Sequence, residues 1–86
     1  MNAFDARVFP NPTTGQLHLH VTDTAVLKGN NDISVFVYDA TGHLAIKTRI
    51  LTPVTELSLL PYRPGIYFLE FNINGITVKK FKVVKV

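Results

Sequence analysis

Asn74-Gly75 lies between two runs in which apolar residues recur at alternate positions, Gly65 to Ile73 before it and Ile76 to Val86 after it. Asn and Gly tolerate the positive φ angles that tight hairpin turns need, so the stretch reads as two antiparallel strands. Side chains alternate along a strand, which puts Tyr67, Leu69, Phe71 and Ile73 on one face. The return strand carries Lys79, Lys80, Lys82 and Lys85. A two-residue turn would set Tyr67 opposite Lys82 and Leu69 opposite Lys80, beside the core. A three-residue loop, Ile73 to Gly75, pairs Tyr67 with Phe81 and sends Lys80 and Lys82 outward. The second register is preferred, because a one-residue slip swaps the faces and an unpaired buried lysine is costly. Lys79 then needs a place near an open end. The hairpin is read as the edge of a small β-sandwich, and its basic last strand as the working surface.

The rest of the chain agrees with that class. Pro10 and Pro12 fix φ and remove two amide donors, so Val8 to Gly15 reads as a short edge strand entering a corner. Asn11, before a proline, is pushed toward extended backbone. Leu17, Leu19 and Val21 alternate with His18, His20 and Thr22, the pattern of a half-buried antiparallel strand. His18 and His20 share a face, but no third ligand is evident nearby, and they read as solvated histidines. Gly29 to Asp32 is a loop, with Ala25-Val26-Leu27 ahead of it as an apolar plug. In Ile33 to Asp39 both faces are apolar, which suggests a central strand with neighbours on each side or aromatics used at an interface. Asp39-Ala40-Thr41-Gly42 is a tight turn. Leu44 to Leu51 returns from it with Leu44 and Ile46 on one face. Thr55 to Leu60 is a short strand with Leu57 and Leu59 together, and Pro61 to Gly65 is a stiff corner. Tyr67, just after the corner, is expected inside with its hydroxyl bonded. About seven short strands at turn spacings of roughly 8 to 12 residues argue an all-β, immunoglobulin-like antiparallel β-sandwich.

Composition narrows the function. At 86 residues there is one domain, read as residues 8 to 86 behind a seven-residue linker. A chain of this size buries only about 60 to 65% of its unfolded surface and has no room for a deep cleft. There is no cysteine, hence no disulfide and no thiolate chemistry. No apolar run approaches the ~18 residues of a membrane-spanning helix. Residues 1 to 8 lack the basic start and long apolar centre of a signal peptide, so an exported domain would be part of something longer. The net charge is +3, from nine basic and six acidic residues. Four of the basic residues fall within 79 to 86, where there is no acid, and the remainder holds five basic against six acidic. A local positive end suits an acidic or anionic partner better than nucleic acid, for which stacking aromatics beside the lysines are missing. Edge lysines also deter aggregation. Ser34 and Ser58 have no base and the acids are scattered, so no enzyme, cofactor or metal site is expected. The rival reading is a glycan- or protein-binding module using Phe36, Tyr38, Tyr62 and Phe68, although core packing accounts for these aromatics more simply.

Four motifs carry a resemblance. Phe9-Pro-Asn-Pro-Thr-Thr-Gly15 resembles the opening signature of type A C-terminal sorting domains of the type IX secretion system. Val37-Tyr38-Asp39-Ala-Thr-Gly42-His-Leu44 resembles the family's hairpin. Leu60-Pro61 with Gly65-Ile66-Tyr67-Phe68 resembles its corner, here with a longer link. Lys79-Lys80-Phe81-Lys82-Val83 resembles its closing strand. The match spans roughly residues 8 to 86. It implies a transport address on secreted cargo, and no chemistry of its own. The cargo, attached on the N-terminal side, would reach the periplasm and cross the outer membrane to the cell surface or medium. An outer-membrane translocon would recognise the folded domain, and a sortase-like surface peptidase would cut just before Val8, in or upstream of residues 1 to 7. Asp39, Gly42, Lys79, Lys80, Lys82 and Lys85 are the expected recognition residues. Pro10, Asn11, Pro12, Gly15, Gly65 and Tyr67 are expected to set the fold. An unpaired last strand could add to a partner's sheet or pair with a second copy. Replacing the four terminal lysines and trimming Val83 to Val86 is expected to abolish export and leave the domain folded.

Overall fold

The computed structural model describes residues 4–86. Its strands are β1 (Ala6–Phe9), β2 (Gln16–Val21), β3 (Ile33–Asp39), β4 (Leu44–Arg49), β5 (Val54–Ser58), β6 (Gly65–Ile73) and β7 (Ile76–Lys85), with one helical turn, α1 (Ala25–Lys28), between β2 and β3. They form two antiparallel sheets, ordered β1-β2-β5 and β4-β3-β6-β7. This is an all-β sandwich with the immunoglobulin order, its fourth strand lying beside the third.

Alternation builds the core. Leu17, Leu19, Val21 and Leu57 face inward from the three-stranded sheet, with Leu59 just past β5. Ile33, Val35, Val37, Leu69, Phe71 and Val83 meet them from the other sheet. Each such side chain contributes about 1.5–3 kcal/mol on burial. Val26 and Leu27 of α1 pack half-buried against this cluster, as the expected plug. Tyr67 is buried and donates its hydroxyl to the Arg63 carbonyl at 2.6 Å, a tyrosine corner at the start of β6.

Three expectations are corrected. The last hairpin uses the two-residue turn: Ile73 pairs with Ile76, and both Asn74 (φ 53°) and Gly75 (φ 84°) have positive φ. A bulge then shifts the register between Phe71 and Asn72, so Val78 is the extra residue and Tyr67 faces Val83 while Leu69 faces Phe81. The predicted Tyr67–Phe81 pairing is therefore absent. Its purpose is met by the bulge, which sends Lys80 and Lys82 outward without a longer loop. A second bulge, in the β3–β4 hairpin, pairs Tyr38 with Leu44 but Val37 with Ile46. Leu44 and Ile46 consequently lie on opposite faces, and Leu44 is exposed. Finally, β1 takes in Ala6 and Arg7, which the sequence reading assigns to a linker; Ala6 belongs to the core. Met1, the linker's first residue, lies outside the described residues.

The antiparallel strands gather the loops at two ends of a body 36 Å long. At one end lie Phe4 and Asp5, residues 21 to 33, Thr52-Pro53 and the Asn74-Gly75 tip. Asp5 binds Thr22, Val21 binds Pro53 and Asp32 binds Asn74 there. The chain enters at this end. At the other lie residues 10 to 15, the Asp39–Gly42 turn, the Pro61–Gly65 corner and the last residues of β7.

Candidate docking site

The four sequence motifs converge on the end away from the entering chain. Asn11 and Thr13 run along the outer edge of β7. Asn11 Nδ2 donates to the Lys82 carbonyl at 2.8 Å, and its Oδ1 accepts from the Val84 amide at 3.0 Å. The Thr13 amide donates to the Val84 carbonyl, and its own carbonyl accepts from the Val86 amide, both at 2.9 Å. The side-chain amide of Asn11 thus acts as an extra peptide unit, and the edge from Lys82 to Val86 is closed. Gly15 has φ +150°, and a Cβ there would come within 2.5 Å of a Leu60 methyl. Only glycine lets the corner lie this close to Leu60. Lys85 points into the same junction. It is 8% exposed, and its ammonium donates to the carbonyls of Leu60 at 3.3 Å and Tyr62.

The Asp39 turn is held by one carboxylate oxygen. Asp39 Oδ1 accepts from the Thr41 hydroxyl at 2.6 Å, the Thr41 amide at 2.9 Å and the His43 amide at 3.0 Å. The hydroxyl proton is spent on Asp39, so His43 Nδ1, 2.7 Å from the Thr41 oxygen, is the donor to it. The Thr41 hydroxyl, then the His43 amide, hold the Asp39 carboxyl below its ordinary pKa, despite a small opposing effect of burial. Gly42, at φ +89°, donates its amide to the Asp39 carbonyl and closes the turn.

Beside this turn the outward face of the four-stranded sheet forms a shallow depression of about 710 Å³. Asp39, Gly42, Lys80 and Lys82, all picked from sequence, line it with Tyr38, Phe68 and Glu70. The other two expected lysines do not join them. Lys79 pairs with Phe71, on the core side, with its ammonium 5.9 Å from the Phe81 ring centroid. Lys85 is the buried latch. The aromatics expected in the core divide. Tyr62 packs against it, whereas Phe36 and Tyr38 stack on the outward face at 6.5 Å and Phe68 is 40% exposed. The alternation that buries Tyr67 and Leu69 already sends Phe68 outward. Lys47, 5.4 Å above the Phe36 ring, extends the basic rim and went unnoticed because no motif contains it.

The family model described as the secretion system C-terminal sorting domain matches residues 7–85. The chain belongs to this family. No curated protein matches it. The sorting domain is a C-terminal secretion signal of the type IX secretion system, its cargo attached on the N-terminal side and destined for the cell surface or secretion. Such a signal is not itself catalytic. Among the described residues no cluster of three or more His, Cys, Asp or Glu side chains is placed to hold a metal, and no helix is long and apolar enough to cross a membrane. His18 and His20 instead flank the Phe9 ring, at 5.5 and 4.7 Å.

Proposed function

We propose that the outer-membrane translocon reads the motif end of the sorting domain, with Asp39, Gly42, Lys80 and Lys82 as the contact residues. The observation behind this reading is their convergence on one depression that runs from the Asp39 turn, at the end opposite the entering chain, to the middle of the sheet. Cargo leaves from the Phe4 end, so a partner at the motif end meets the same surface whatever the cargo. Pro10, Asn11, Pro12, Gly15, Gly65 and Tyr67 act through the fold, and Lys85 joins them. Lys79 guards the bulged edge.

Recognition proceeds through side chains. The C-terminal half of β7 is closed by Asn11 and Thr13. The half before it carries a bulge and lysines, both of which discourage strand addition, whether by a partner or by a second copy. Release of the cargo by the surface peptidase involves a bond upstream of Ala6, because Ala6 and Arg7 are paired with Val21 and His20. A cut just before Val8 requires β1 to detach first.

The test fuses the chain to a periplasmic reporter in a bacterium with the type IX system. Replacing Lys80 and Lys82 together should block export, with thermal unfolding of the purified chain unchanged. Export at the wild-type level would remove the reading.

A further inference from the structure

On the outward face of the four-stranded sheet, Tyr38 lies opposite Leu44 on one side and Phe68 on the other, and Phe68 lies opposite Lys82. One row toward the sheet's middle, Lys47, Phe36, Glu70 and Lys80 stand side by side. The face is therefore an aromatic strip with a lysine at each margin. Leu44 is 51% exposed, Phe68 40% and Ile66 37%, so the strip is open. Exposed apolar surface rimmed by charge marks a protein contact, since aromatics concentrate in the middle of such contacts and charges at the rim.

We infer that this face takes a protein segment presenting apolar side chains to Tyr38 and Phe68 between carboxylates that meet Lys47 and Lys82. The inference rests on the docking role proposed above and names the chemistry of the partner. Charge decides the class. A surface of phosphates would lie against Asp39 and Glu70, which line the same depression, and would be repelled by them. A polypeptide can place carboxylates at the two margins and keep them away from these acids. The closed and bulged edge of β7 supports contact through this face.

The export fusion separates the possibilities. Tyr38→Thr with Phe68→Thr keeps strand-forming residues and all lysines, and should lower export at least tenfold in a chain that still unfolds in one cooperative transition. Export should fall in the order Lys82→Arg, Lys82→Gln, Lys82→Glu, with Lys82→Glu at least tenfold below Lys82→Gln. If paired replacement of Lys80 and Lys82 blocks export but the aromatic pair does not, the docking end stands and this inference falls. Equal export of Lys82→Gln and Lys82→Glu overturns the acidic partner. If no variant has an effect, both readings fall together. Binding of the purified chain to phosphatidylglycerol vesicles, lost in Lys82→Glu, would assign the face to an anionic lipid and overturn the inference as well.

Discussion

At the entering end, loops are joined by main-chain hydrogen bonds, Val21 to Pro53 and Asn74 to Asp32, and by exposed side-chain ones, Asn74 to Asn31, Thr22 to Asp5 and Asn31 to Val26. At the motif end, main-chain pairing between segments some seventy residues apart is reinforced by a close glycine contact and a buried ammonium. The first kind of end tolerates change. The second holds a surface in one shape, as recognition by rigid contact demands.

Removing Val83–Val86 is the most severe way to break this contrast. It takes away a core valine, the Lys85 latch and the pairing with Thr13. The loss should be about 5 kcal/mol, on the order of the whole stability of so small a domain. Equilibrium denaturation should therefore find the trimmed chain unfolded. The sequence-based expectation that a chain trimmed of Val83 to Val86, with its terminal lysines replaced, stays folded meets the same loss, because Val83 is in the core.

Two glycines sharpen the comparison within the motif end. Gly15→Ala meets Leu60 and should cost about 2–3 kcal/mol in denaturant midpoints. Gly42→Ala meets nothing within 4 Å and should cost about 1 kcal/mol, the price of its positive φ. Asn11→Ala removes two hydrogen bonds to β7 and should cost about 1–2 kcal/mol. Amide exchange at Val84 should rise with it.

The entering end supplies the control. Asn74→Ala loses two side-chain bonds and a favourable turn residue, for about 1 kcal/mol. Export should not change; a drop to the level of the lysine variants would erase the functional difference between the ends. The smallest effect is at Asp39. Its carboxyl sits below its ordinary pKa, so its contribution is complete above the unfolded value and fades as the pH falls through the lower folded one. Asp39→Asn should unfold earlier than wild type at neutral pH, and the difference should close as acid protonates the wild-type carboxyl.

Much of this was legible from period-two patterning and turn chemistry. Leu17, Leu19, Val35 and Leu69 are inside as their alternation requires, and Asn74-Gly75 makes the expected turn. The two register errors share a cause. A bulge inserts one residue without a local signature, and it reverses every face beyond it, at Val78 as at Ala45. Lys85 was misread for a different reason: a lysine run looks uniform in sequence, while burial depends on where the Pro61–Gly65 corner falls. The partner of Asn11, more than seventy positions away, has no trace in local pattern.

The Asn11–β7 stitch has a consequence for timing. Its two halves leave the ribosome at opposite extremes of the domain's synthesis. A chain arrested before Val84 would carry the first motif intact and still lack the assembled surface. Such a chain would hold Asn11 and Thr13 with no strand edge to pair with.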